Sequence, residues 1–183
     1  RQVKLLNPLG EDKSVMRTTG IPDMLTVVAT NLNQKADNLR LYEIGRLYFP
    51  KQLPVTELPE EKPYLAAAVC GTDDFYTLKG ALENVCQLLK IYDLEFTAGG
   101  ADYFHPGRKA VLTAGGKTVG EMGEIAADVA AAFGIQKRVC IAQLSLKELF
   151  AAAGQERKFE ALPKYPAVLR DLAFTLPRET QAG

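Results

Sequence analysis

The apolar positions of this chain change period several times, and each change marks an element. Residues 3–6 form a short apolar run closed by the turn cluster Asn7-Pro8-Leu9-Gly10, which predicts a first strand. Ile21, Met24, Leu25, Val28 and Leu32 then recur at helical spacing behind Pro22, which predicts an amphipathic helix over 21–34. Residues 38–49 are rich in Leu, Tyr, Ile and Phe and stop at Pro50, as a long strand does. Residues 50–63 are rich in proline and charge and read as an exposed connection. Residues 64–70 are apolar on both faces and predict a central strand, although three alanines leave a helix open. Asp73-Asp74 supplies N-cap chemistry for a helix carried by Phe75, Leu78, Leu82, Val85 and Leu89. Strands follow at 94–97, 108–114 and 117–125, the last two joined at Gly115-Gly116. A helix over 126–133 stops at Gly134, a strand covers 138–144, and Ser145 caps a helix over 146–153. Residues 167–176 read as one more strand. Few helices among hairpin-linked strands predict an α+β fold with a mainly antiparallel sheet.

Size and charge narrow the function classes. A chain of 183 residues is long enough for one full domain with part of a second, and it needs no disulfide or metal staple. Its 22 Lys and Arg balance 22 Asp and Glu, so the strong basic footprint of a nucleic-acid binder is absent. No apolar run approaches the ~20 residues of a membrane helix. Cys70, Cys86 and Cys140 are odd in number and form no CxxC pair, which fits buried thiols in a reducing cytoplasm. The chain opens on Arg1 and closes on Gly183, and both ends are expected to be cuts inside a longer polypeptide.

The inventory leaves little room for catalysis or metal binding. His105 is the single histidine, which removes multi-histidine metal sites. Ser14 and Ser145 are the only serines, and neither lies in a nucleophile elbow. Gly116-Lys117-Thr118 imitates a phosphate loop, but Val111 stands where such a loop needs glycine. Two segments exceed plain scaffold. One is 38–49, where Arg40, Glu43 and Arg46 alternate with apolar residues around Gly45, as at a ligand cleft, a subunit interface or one wet strand face. The other is 103–108, Tyr-Phe-His-Pro-Gly-Arg, where His105 and Arg108 flank a turn that suits either a locally bonded histidine or a contact loop to a partner.

These segments, in order, resemble the β subunit of bacterial phenylalanyl-tRNA synthetases. The resemblance runs from Leu6-Asn7-Pro8-Leu9 and Met16-Arg17-Thr18-Thr19-Gly20-Ile21-Pro22 through Leu39-Arg40-Leu41-Tyr42-Glu43-Ile44-Gly45-Arg46. It continues through Asp74-Phe75-Tyr76-Thr77-Leu78-Lys79-Gly80 and Tyr103-Phe104-His105-Pro106-Gly107-Arg108 to Val119-Gly120-Glu121-Met122-Gly123-Glu124-Ile125. It departs at Ala126-Ala127, where that family usually carries His-Pro.

The resemblance implies a class II aminoacyl-tRNA synthetase-like core, an antiparallel sheet flanked by helices, that has lost its catalytic motifs. It places this core at 1–157 and the truncated start of a ferredoxin-fold anticodon-binding domain at 158–183. It further implies a catalytic α subunit as partner in an α2β2 heterotetramer, tRNA(Phe) as substrate, and ATP with Mg2+ for the whole enzyme, with no cofactor and no metal in this chain. Arg17 stands where a class II enzyme keeps its ATP-contacting arginine loop. Arg40, Glu43, Arg46, His105 and Arg108 become candidates for subunit contact. The leading expectation is a non-catalytic scaffold and α-subunit interface. Two others stay open: a degenerate cleft that still binds a nucleotide or amino acid, and an RNA-contacting module using Arg40, Arg46, Arg108 and Lys109.

Overall fold

The computed structural model describes residues 2–154 together with 168, 170–173, 175 and 177. Helix α1, Ile21–Asn33, has proline in its first turn and buries Ile21, Met24, Leu25 and Val28 along one stripe. Strands β1, Leu39–Phe49, and β2, Glu60–Cys70, pair along their whole length. Helix α2, Phe75–Leu88, starts from a capping box in which the Asp74 carboxylate accepts from Tyr76 and Thr77 backbone N–H, both at 3.0 Å. Strands β3, Glu95–Ala98, β4, Phe104–Ala114, and β5, Lys117–Ile125, form a meander. Gly115 and Gly116 turn the β4–β5 hairpin with φ of 58° and 71°, a geometry glycine adopts at no steric cost. Helix α3, Ala127–Ala132, strand β6, Val139–Ser145, and helix α4, Leu146–Ala152, follow.

The six strands make one sheet in the order β1-β2-β6-β5-β4-β3, with every neighbouring pair antiparallel. Side chains alternate across it and supply two cores. On one face Tyr64, Ala66, Ala68 and Ile141 pack with α1 and α3. On the other, Val69, Met122, Ala142 and Leu144 pack with α2 and α4. The expected α+β architecture, an antiparallel sheet flanked by helices, is therefore present.

Four expectations need correction or lie outside view. Residues 3–6 form no strand, and their region contributes only an isolated bridge between Lys4 and Val15. The connection after Pro50 is shorter than expected, because β2 begins at Glu60. Pro63 is tolerated there since β6 reaches only from Tyr64 onward, so Pro63 faces β1 alone. His105, Pro106 and Gly107 lie inside β4 rather than in a turn before it, at a register irregularity between Phe104 and Lys109. Of the strand expected over 167–176, the described residues pair with no strand, and residues 158–167 and 178–183 of the expected second domain lie outside the described residues.

Candidate functional site

Arg17 is a strut rather than an open anion clamp. Its Nη1 lies 2.7 Å from Glu43 Oε1 and 3.2 Å from Asp23 Oδ2, and its Nε donates to the Arg46 carbonyl at 3.1 Å. The guanidinium also sits over the Tyr64 ring, 5.3 Å from its centre. Burial disfavours its charge, but the Glu43 and Asp23 carboxylates outweigh this and hold its pKa above the usual value. Gly45 makes room for this: a Cβ there would lie 2.5 Å from Arg17 Nη2. No local pattern in the sequence pairs Arg17 with Glu43, because they stand 26 positions apart.

The alternation of β1 splits the remaining candidates between faces. Glu43 points with Gly45 toward Arg17 and Tyr64. Arg40 and Arg46 belong to the opposite face, and each is paired. Arg40 holds Asp73 through two hydrogen bonds of 2.6 and 3.0 Å, which raises the arginine and lowers the carboxylate. Arg46 meets Glu61 at 2.5 Å, and that contact raises its pKa. His105 Nδ1 accepts from the Gly107 N–H at 3.1 Å, the local bond expected for it. Arg108 grips Glu124 with distances of 2.5 and 2.6 Å. The structure does not bring the two candidate segments together: β4 is four strands from β1, roughly 19 Å across the sheet.

A cleft of about 330 Å³ opens on the α1 face between Leu47, Phe49, Tyr64 and Gln143. Two of its polar side chains, Gln143 and Glu121, are already engaged. Gln143 Oε1 accepts from Gly20 N–H at 2.7 Å and Thr19 Oγ1 at 3.1 Å. Glu121 accepts from Ala101 N–H at 3.0 Å and from the Tyr103 hydroxyl. With Arg17 also committed, and no group of three metal-ligating side chains among the described residues, the residues present do not fit ATP with Mg2+. Lys109 donates to the Gly100 and Ala101 carbonyls at 3.0 and 3.1 Å, so all four basic residues considered for RNA have protein partners.

The feature absent from the charged candidates is apolar. On the α2 face a groove of about 890 Å³ runs between β1, β2, α2 and α4. Tyr42 is 76% exposed, Ile44 65%, Tyr76 74%, Leu88 73% and Phe150 60%. A monomer of this size rarely leaves such residues contiguous on its surface. One signal was present: β1 is an edge strand, yet it is apolar on both faces, with Leu39 and Leu47 on one and Tyr42 and Ile44 on the other.

Comparison with known proteins agrees with this fold. The solved structure of pyrrolysyl-tRNA synthetase from Desulfitobacterium hafniense superposes with a TM-score of 0.63 at 18% identity, covering 81% of this chain and 52% of that one. The phenylalanine–tRNA ligase β subunit of Clostridium tetani is 39% identical over 97% of this chain, and that of Moorella thermoacetica 36% identical over all of it. The chain spans 22% of the first relative and 24% of the second. The family described as the phenylalanyl tRNA synthetase beta chain CLM domain matches residues 1–146. With its match over most of the chain and a sheet that carries the corresponding fold, the protein belongs to that family.

Proposed function

We propose that this domain serves phenylalanine–tRNA ligase as a non-catalytic scaffold and as a contact surface for the α subunit. One observation carries the reading. The charged candidates are spent in internal pairs, while Tyr42, Ile44, Tyr76, Leu88 and Phe150 stand bare around one groove. A site built for chemistry needs groups free to meet substrate, whereas a subunit interface needs exposed apolar area. In this reading residues 1–157 form the core and 158–183 begin a ferredoxin-fold anticodon-binding domain. The whole enzyme is an α2β2 assembly that charges tRNA(Phe) with phenylalanine, using ATP and Mg2+ bound elsewhere. The three buried, unpaired cysteines of this chain suit a reducing cytoplasm.

The test is co-elution with the matching α subunit on a sizing column. The wild-type domain is expected to co-elute, and Ile44→Asp to weaken that association at least tenfold with its fold intact. Elution of wild type as a separate peak, or an Ile44→Asp variant that binds as wild type does, rejects this surface as the interface.

A further inference from the structure

Resting on the reading that this face meets the α subunit, we infer that the groove receives a single amphipathic helix of that subunit, laid along α2 with small residues against Gly80 and Ala81. The layer geometry sets the shape. On the opposite face α1 covers β1 and β2, burying Leu39 and Leu47. On the groove face α2 and α4 reach β2, β6 and β5 but leave Tyr42 and Ile44 exposed. The bare strip is edge strand β1 alone, about 5 Å wide, and it opens outward past that edge, so an element one helix in diameter can lie on it against α2.

The wall of the groove has a matching form. Tyr76, Gly80, Asn84 and Leu88 recur every four residues and make one stripe of α2 along the groove. Gly80 has no internal explanation: a Cβ there would meet no heavy atom within 4 Å, and glycine is a poor helix former. Missing that Cβ leaves a notch between Tyr76 and Asn84 where a second helix backbone approaches closely. The rim adds no net charge, because Arg40 pairs with Asp73, Arg46 with Glu61 and Lys79 with Glu83. A neutral rim around an apolar floor complements an apolar stripe and neither attracts nor orients a charged segment. The five exposed side chains offer on the order of 700 Å², close to the ~800 Å² each partner contributes to a standard interface.

The experiment places a benzophenone amino acid at Asn84 of this chain and mixes it with the α subunit. Crosslinked residues are then mapped by mass spectrometry. Crosslinks are expected within one α-subunit segment at spacings of three, four or seven. Gly80→Leu, which fills the notch, is expected to weaken co-elution at least tenfold with an unchanged circular dichroism spectrum. Gly80→Ala serves as the smaller step. If α co-elutes but crosslinks alternate every second residue, the helix is overturned and the interface survives; crosslinks on a second copy of this chain, or elsewhere on its own chain, overturn the helix and remove the groove from the α interface. Wild-type binding by Gly80→Leu overturns it equally. If the wild-type domain fails to bind α at all, the proposed function falls with it.

Discussion

Tyr64 shows how much of this protein is decided by one side chain. It is 1% exposed, lies under the Arg17 guanidinium, and its hydroxyl has no partner with hydrogen-bond geometry among the described residues. Burial pushes its pKa up to about 12, with the Glu43 carboxylate adding to the shift and Arg17 opposing it. The unfolded chain releases this proton near 10.0 and the folded chain near 12, so stability is full below pH 10 and falls as pH rises toward 12. Tyr64→Phe is expected to be neutral or to stabilise by about 1 kcal/mol at pH 7, because it removes an unsatisfied buried hydroxyl. It is also expected to lose less stability than wild type between pH 10 and 12. Urea unfolding at pH 7 and pH 11 checks both, and a loss of several kcal/mol at pH 7 would reveal an essential hydroxyl contact. The cysteines follow the same physics. Burial raises all three thiols, Cys140 to about 12, so a thiol reagent at pH 8 is expected to label none of them until urea is added. Rapid labelling of the folded chain would contradict their burial. Their role as small buried hydrophobes was legible from spacing alone, whereas the Arg17–Glu43 strut depended on a pairing that no local pattern carries.

At the scale of elements, the sequence predicts best where a period is long and a stop is sharp. Helix α2 has five apolar residues in register and an aspartate cap, and it forms where expected. The β4–β5 hairpin follows from its two glycines. Residues 3–6 fail because a short apolar run needs a neighbouring strand, and only one bridge to Val15 is offered. Pro63 and Pro106 look like breaks, yet both lie in strands at places where ladder bonding is already interrupted or one-sided. The glycines inside elements divide by what surrounds them. Gly120 of β5 faces Leu144 of β6, and a Cβ there would lie 2.8 Å from Leu144 Cα and press on the Gln143 carbonyl oxygen. Backbone cannot yield as a flexible side chain does, so Gly120→Ala is expected to cost about 2–3 kcal/mol. Gly80→Ala meets nothing and restores helix propensity, so the isolated domain is expected to gain about 0.5–1 kcal/mol. Urea midpoints of the two variants should move in opposite directions. A shift of the same sign in both would mean that the strand spacing or the helix surroundings differ from those described.

For the whole molecule, charge and apolar area point to different partners, and ionic strength separates them. Sequence patterns gave the fold class and the conspicuous charged residues, but they could not show that each charge has an internal partner. Nor could they show which face of β1 is covered, since Leu39, Leu47, Tyr42 and Ile44 look equally fit for burial until α1 is placed on one side. Once the sheet is assembled, the uncovered residues are aromatic and aliphatic, and the ionic groups around them cancel in pairs. An interface of this kind draws on the removal of apolar surface from water, which salt does not screen. A phosphate-binding surface behaves oppositely, because each Lys or Arg contact releases counterions and affinity falls steeply with salt. Raising the salt from about 0.1 M to about 1 M shortens the screening length from about 10 Å to about 3 Å. Association with the α subunit is therefore expected to persist, or to tighten slightly, across that range in a sizing-column or calorimetric titration. Association that weakens a hundredfold over the same range would transfer the interface from the Tyr42–Phe150 groove to the charged edge of β1. Arg40 and Arg46 would then have to exchange Asp73 and Glu61 for partners outside the chain.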